Sequence, residues 1–224
     1  MTTIIRLNTN FNNPNLPTFL PLPYNGLLGA WMMDGAQKTI KGTPLSIVGS
    51  ETFLPTHLVV TNRDPSVTTN IIDEDYAEMT MVFIGNINAA SGVTNNHCIG
   101  DYGRGHSLYI QPNGGVRYAI NDATGQVQVS VNNLPTTEPT VYFVTRTADA
   151  IRLRIPSESI DKTISLTPPV KLSASNIKIA YGDNLSAFDV YGAAIYGSNL
   201  SDDDVTSFYN TVVKYFSDKG VDLS

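Results

Sequence analysis

Three short stretches of the chain carry residues that could do chemistry. DEDYAE at 73–78 places Asp73, Asp75 and Glu78 within six positions. Paired carboxylates of this kind serve retaining glycosidases, which need a nucleophile and an acid about 5–5.5 Å apart. The segment precedes an apolar run, MTMVFIG at 79–85, and so reads as a loop. A solvated acidic loop that discourages edge pairing is the plainer account of it. CIGDYGRGHSLY at 98–109 is richer. Gly100, Gly103 and Gly105 make its backbone pliable, and Asp101, Tyr102, Arg104, His106 and Tyr109 supply ring faces and planar polar groups. Sugars are bound by that mixture of stacking and directed hydrogen bonds. The plainer account is a loop and the outward face of a strand. The third stretch holds Asp183, Asn184 and Asp189, oxygen ligands of the type calcium takes. A turn followed by a strand is the plainer account of them.

Other chemistries find less support. His57, His97 and His106 are the only histidines and Cys98 the only cysteine. No second thiol and no tight His/Asp spacing completes a zinc set. A nucleophilic Cys98–His dyad would require a spatial approach that spacing does not reveal, and a buried, inert thiol is the expectation. The glycines form no phosphate loop, because the strand–GxxxxGK–helix context is missing. The expected site is therefore a ligand-binding set of Asp101, Tyr102, Arg104, His106 and Tyr109, with no catalytic group, metal or cofactor.

The elements that must position these residues follow a period of two. Ile151, Leu153 and Ile155 alternate with Arg152 and Arg154. That places the apolar three on a core and the arginines toward water. Val127, Val129 and Val131 repeat the pattern, as do Ile177, Ile179 and Tyr181. HSLYIQPNGGVRYAIND reads as a hairpin turning at Pro112-Asn113-Gly114-Gly115, with Leu108, Ile110, Val116, Tyr118 and Ile120 facing inward. MTMVFIG is apolar on both faces, as a central strand is. One segment departs from this period. In NLSDDDVTSFYNTVVKYFSDKG at 199–220, Val205, Phe208, Tyr209, Val212, Val213 and Phe216 share one helical face. Ser201 and Asp204 form a capping-box arrangement, and Gly220 supplies the stop. Residues 1–25, rich in Asn and Pro, read as an extended arm, with Phe11, Leu16, Phe19, Leu20 and Leu22 to hold it on its own domain or on a neighbouring subunit.

Composition narrows the partners. The chain has 224 residues, 42% of them hydrophobic, which is enough for one large β domain over 26–224. Its net charge of −6 argues against nucleic acid and against an anionic membrane surface. MTTIIRLNTNF lacks the apolar stretch of a secretory signal, and no window approaches membrane-spanning length. The expectation is a protein made in the cytoplasm that leaves, if it leaves, by lysis or within a particle.

The order of these elements resembles the concanavalin A-like, laminin-G-like jelly roll, particularly versions found in bacteriophage and prophage tail or virion proteins. GLLGAWMMDG at 26–35 resembles its opening strand with a Trp, and DYAEMTMVFIG at 75–85 the passage from an acidic loop to a core strand. HSLYIQPNGGVRYAI at 106–120 and TVYFVTRTADAIRLRI at 140–155 resemble its hairpins. Residues 177–223 resemble its closing strands, the Leu-Ser-Asp step and the helix. Pro156-Ser157-Glu158-Ser159 stands where many laminin-G-like domains have an Asn-Gly turn, so no calcium or ligand site carries over from that loop. Asp73, Asp75 and Glu78 resemble the carboxylate motif of the laminarinase-type glycosidases of this fold, with its first position changed.

The resemblance implies an all-β jelly-roll sandwich with the helix at 201–219 packed on it. It also implies a non-enzymatic virion or tail module that binds a host-surface glycan or another virion protein and forms a homo-oligomer. The alternatives are a purely structural virion part and a carbohydrate-active hydrolase or lyase.

Overall fold

The alternating segments pair into two antiparallel sheets stacked face to face in the structure, a computed structural model that describes residues 20–48, 51–61, 67–88, 96–101, 106–111, 114–182 and 187–223. The first sheet runs from edge to edge as β14 (Ile160–Ser165), β13 (Ala150–Ile155), β12 (Thr140–Arg146), β7 (Met79–Asn88), β16 (Ala187–Tyr196), β1 (Leu27–Met32) and β2 (Lys38–Lys41). β5 (Leu58–Val60) also pairs with β16, and β4 (Thr52–Phe53) with β5. The second sheet runs β11 (Gly125–Val131), β10 (Val116–Asp122), β9 (Ser107–Ile110), β8 (Asn96–Gly100), β15 (Asn176–Gly182), β6 (Val67–Ile72) and β3 (Ser46–Ile47). The all-β, jelly-roll-like sandwich expected from the sequence is what the chain forms.

Inward-pointing residues of both sheets make the main core. Ile151, Leu153 and Ile155 face Leu108, Ile110, Val116, Tyr118 and Ile120 across the sandwich. Trp31 is fully buried, and its Nε1–H donates to the Thr43 carbonyl at 2.9 Å. Gly29 has no alternative residue, because a Cβ there would lie 2.3 Å from the Trp31 ring. β7 is central, between β12 and β16, as its two apolar faces require.

The helix α1 spans Asp202–Ser217 and lies on the outer face of the first sheet. Its apolar stripe is the one read from the sequence. Val205, Phe208, Val212 and Phe216 are buried against Val82, Ile84, Val141, Phe143, Ala194 and Tyr196. The Ser201 Oγ accepts the Asp204 N–H at 3.1 Å and donates to its carboxylate at 2.7 Å. At the far end Gly220 takes φ of 77°, and the Val221 N–H returns to the Phe216 carbonyl at 3.0 Å. Of the N-terminal arm, the described part runs from Leu20, and Leu22 and Leu20 pack into this same cluster. The rest of the arm lies outside the described residues.

One expectation needs correcting. Arg154 does not face water: it is buried, donating to Asp202 Oδ1 at 3.1 Å and to the Leu200 carbonyl at 3.3 Å. The strand alternates as read, but its outer face is covered by the start of α1. Arg152, two residues earlier, remains partly exposed.

Candidate functional site

At one end of the sandwich a set of charged residues is buried where the sheets meet. Arg146 closes β12 and points inward, following the buried Val144 in register. Its guanidinium reaches across to the segment after β6. It donates to the carbonyls of Ala77 at 2.8 Å and Tyr76 at 2.9 Å and to Asp73 Oδ1 at 3.1 Å. The acidic stretch DEDYAE is thus wrapped around a buried cation. Asp73 opens a single 3-10 turn, Asp73–Asp75, and is 1% exposed, whereas Asp75 and Glu78 face solvent. The Asp73 carboxylate is committed on both oxygens. His106 Nδ1 lies 2.8 Å from Oδ1, and the Ser173 N–H donates to Oδ2 at 3.2 Å. Burial works to raise the Asp73 pKa, but the His106 and Arg146 charges and the Ser173 N–H hold it below the usual carboxylate range. A solvated acidic loop therefore describes Asp75 and Glu78 but not Asp73.

This cluster is the footing of the loop between β8 and β9. Asp101 leaves β8 with its carboxylate on the Ser173 hydroxyl and 3.9 Å from Lys178 Nζ. His106 enters β9 against Asp73. The two stems close on each other through the Asp101 N–H, which donates to the His106 carbonyl at 3.1 Å. Gly100 makes the approach possible. It adopts φ of 134°, and a Cβ would stand 2.2 Å from the His106 carbonyl oxygen. Of the five residues singled out in the sequence, Asp101 and His106 are these stems, 4% and 1% exposed. They act as anchors rather than as a surface. Tyr102 and Arg104, at the tip, lie outside the described residues.

Tyr109 stands on the opposite face of β9 from His106, since an odd offset along a strand reverses the side chain. It is on the outer face of the second sheet, its ring 5.3 Å from that of His97 and its hydroxyl donating to Gln128 Oε1 at 3.3 Å. The structure therefore joins Asp101 and His106 through the buried cluster and places Tyr109 apart from them. Sequence reasoning missed Arg146 and Ser173. An arginine ending an otherwise apolar strand, TVYFVTR, was the available signal for the first; nothing marked the second.

The remaining candidates are engaged within the fold. Cys98 is buried in the main core, its thiol pushed up by that burial, while the adjacent His97 bonds Ser107 Oγ at 2.9 Å on the outer face. Asp189 receives the Asn86 amide at 3.2 Å and lies 3.5 Å from His57 Nε2. Asp183 and Asn184 lie outside the described residues. Among the described residues no group of three His, Cys, Asp or Glu side chains is placed to hold a metal ion. Nor is any helix long and apolar enough to cross a membrane.

No protein-family model and no curated protein matches the chain. Solved structures do. The chain is similar to a binding domain of botulinum neurotoxin DC in complex with SialylT, with a TM-score of 0.64 and 15% identity. That match covers 84% of this chain and 51% of the other. The binding domain of serotype C1 gives 0.63 at 13% identity, and the DC domain in complex with rat synaptotagmin II gives 0.63 at 12%. Each match covers 84% of this chain and 52% of that one. The chain thus spans about half the length of those domains, and the likeness is one of fold.

Proposed function

We propose that this chain is a non-enzymatic recognition module that presents the tip of the β8–β9 loop, with Tyr102 and Arg104, to a surface glycan. The observation that carries the reading is the footing of that loop. Buried charges are costly to keep and rarely improve stability over apolar packing. Here Asp73, Asp101, His106 and Arg146 are all buried where β8 ends and β9 begins. Fixing the two stems from which a loop springs lowers the entropy lost on binding, which is a use for such an arrangement. An aromatic ring and a guanidinium are the groups a sugar face and its hydroxyls call for.

Two further lines support the reading. Asp73, the first carboxylate of the glycosidase-like stretch, is consumed by Arg146 and His106, which leaves no buried acid free for hydrolysis there. The fold is also that of neurotoxin domains solved with SialylT and with synaptotagmin II, and in type C such a domain belongs to a toxin whose passage into cells depends upon interaction with two ganglioside molecules. The virion or tail setting, with another virion protein as alternative partner and a homo-oligomeric assembly, belongs to the same proposal and rests on the sequence resemblance.

The test is a glycan array with the full-length protein and with Tyr102→Ala and Arg104→Ala. Specific binding that both variants lose supports the proposal. A blank array with a defined oligomer in solution favours a structural part whose partner is protein. Turnover of β-glucan or alginate, abolished by Glu78→Gln, would make the chain an enzyme.

A further inference from the structure

A second recessed surface lies on the other sheet. α1 covers the outer face of β1, β16, β7 and part of β12, its start covers the Arg154 end of β13, and β14 and the Arg152 end of β13 are left uncovered. The step where the helix begins encloses an open cleft of about 440 Å³. That is within the roughly 300–1,000 Å³ of small-molecule sites. Thr145, Arg152 and Thr163 form its floor, directly opposite one another across three strands. Asn199 stands on the helix side, and Thr147 and Asp149 form the β12–β13 turn at its end. Thr147 follows Arg146 in the chain, so the cleft opens at the same end of the sandwich as the β8–β9 loop.

Its chemistry is polar without being ionically open. The Arg152 guanidinium, the group that would otherwise clamp an anion, is bound along one edge by carboxylates. Its Nε donates to Asp161 Oδ1 at 2.6 Å, a second nitrogen meets Asp161 Oδ2, and Asp202 lies 3.0 Å away. Arg154 is paired with the same Asp202. Around the cleft three carboxylates, Asp149, Asp161 and Asp202, face two guanidiniums, so the surround is net negative and an anionic ligand meets repulsion. The exposed Thr163 hydroxyl, the Asn199 amide and a planar ion pair with outward lone pairs are what a neutral polyol can use. The lining has no aromatic ring, so recognition here is by hydrogen bonds rather than stacking.

We infer that this cleft is a binding site for a neutral oligosaccharide, separate from the β8–β9 loop and independent of the function proposed for it. Thr163 is exposed on the edge strand and makes none of the ion pairs, so Thr163→Trp fills the cleft without dismantling it. The experiment is an array of glucose-, galactose-, mannose- and N-acetylglucosamine-terminated glycans printed beside their sialylated counterparts. The full-length protein, Thr163→Trp and Arg104→Ala are compared, and saturation-transfer NMR follows on the strongest neutral hit. The expected result is neutral-glycan binding that Thr163→Trp weakens at least tenfold with the melting temperature held, and that Arg104→Ala leaves in place. Absence of any neutral hit, or a hit indifferent to Thr163→Trp, overturns the inference. Loss with Arg104→Ala alone assigns the ligand to the loop and removes the cleft from the account.

Discussion

Asp73 shows how one residue serves a loop it does not belong to. It carries no exposed surface, yet it holds His106, Arg146 and the Ser173 N–H at once. Removing its charge leaves a buried guanidinium without its counter-ion. Asp73→Asn is therefore expected to cost about 3–5 kcal/mol in chemical denaturation. A change within about 0.5 kcal/mol, the size of an ordinary surface substitution, would mean that Arg146 is satisfied by carbonyls alone. The pH dependence has a definite sign. The folded carboxyl sits below its ordinary value of 3.8, so its contribution is complete above that pH and drains away as the pH falls through the folded value. Stability should decline below about pH 4, and Asp73→Asn should flatten that decline. Cys98, buried with its thiol pushed up, should resist thiol reagents in the native protein and react on unfolding. These roles were only partly legible in the sequence. Residue types in the loop were readable, but which of them turn inward depends on strand register. His106 and Tyr109 lie three apart, on opposite faces, and the partners that claim Asp73 come from positions 106, 146 and 173.

At the scale of the element, α1 is the best-specified part of the chain. Its cap, its stripe and its glycine stop all lie within twenty-odd contiguous residues, so local sequence determined them. Phe208 is fully buried, in edge-to-face contact with Phe143 at 5.4 Å and Tyr196 at 6.3 Å. Phe208→Ala should cost about 3–5 kcal/mol from lost burial and the cavity left behind; a loss below about half a kcal/mol would contradict the packing seen here. What the sequence could not show is how the far end is fastened. Asp34, in the turn between β1 and β2, is buried against Lys38 at 2.8 Å, Lys219 at 2.6 Å and the Tyr215 hydroxyl at 2.8 Å. Burial works against its ionisation, but those partners hold it below the usual carboxylate range. Asp34→Ala should loosen the C-terminal turn of α1 first, seen as faster amide exchange at 213–221 with the N-terminal turn unchanged. Uniform exchange across the helix would contradict this. Residues 34 and 219 are joined only by the fold, and no spacing rule connects them.

The whole molecule is a sandwich whose two outer faces are treated differently. One carries the helix and the end of the arm, and the other is left polar. Leu20 and Leu22 belong to the helix-side cluster, so truncation through residue 25 should cost roughly 3–6 kcal/mol more than truncation before residue 20, for two buried leucines. Equal melting temperatures for the two truncations would contradict that. The period of two made the strands legible, and the resemblance of the closing strands pointed to a sandwich with a helix packed on it; the order of strands within each sheet came only with the structure. The end of the sandwich was not legible, because loops from β6, β8, β12 and β15 meet there through side chains far apart in sequence. The central claim, that this end serves recognition, is tested most directly by the glycan array on the full-length protein, with its mass in solution recorded alongside. Specific binding that is lost on Tyr102→Ala and Arg104→Ala, with the fold preserved, is the expected result. A blank array, or one in which every hit ignores both substitutions, would contradict it.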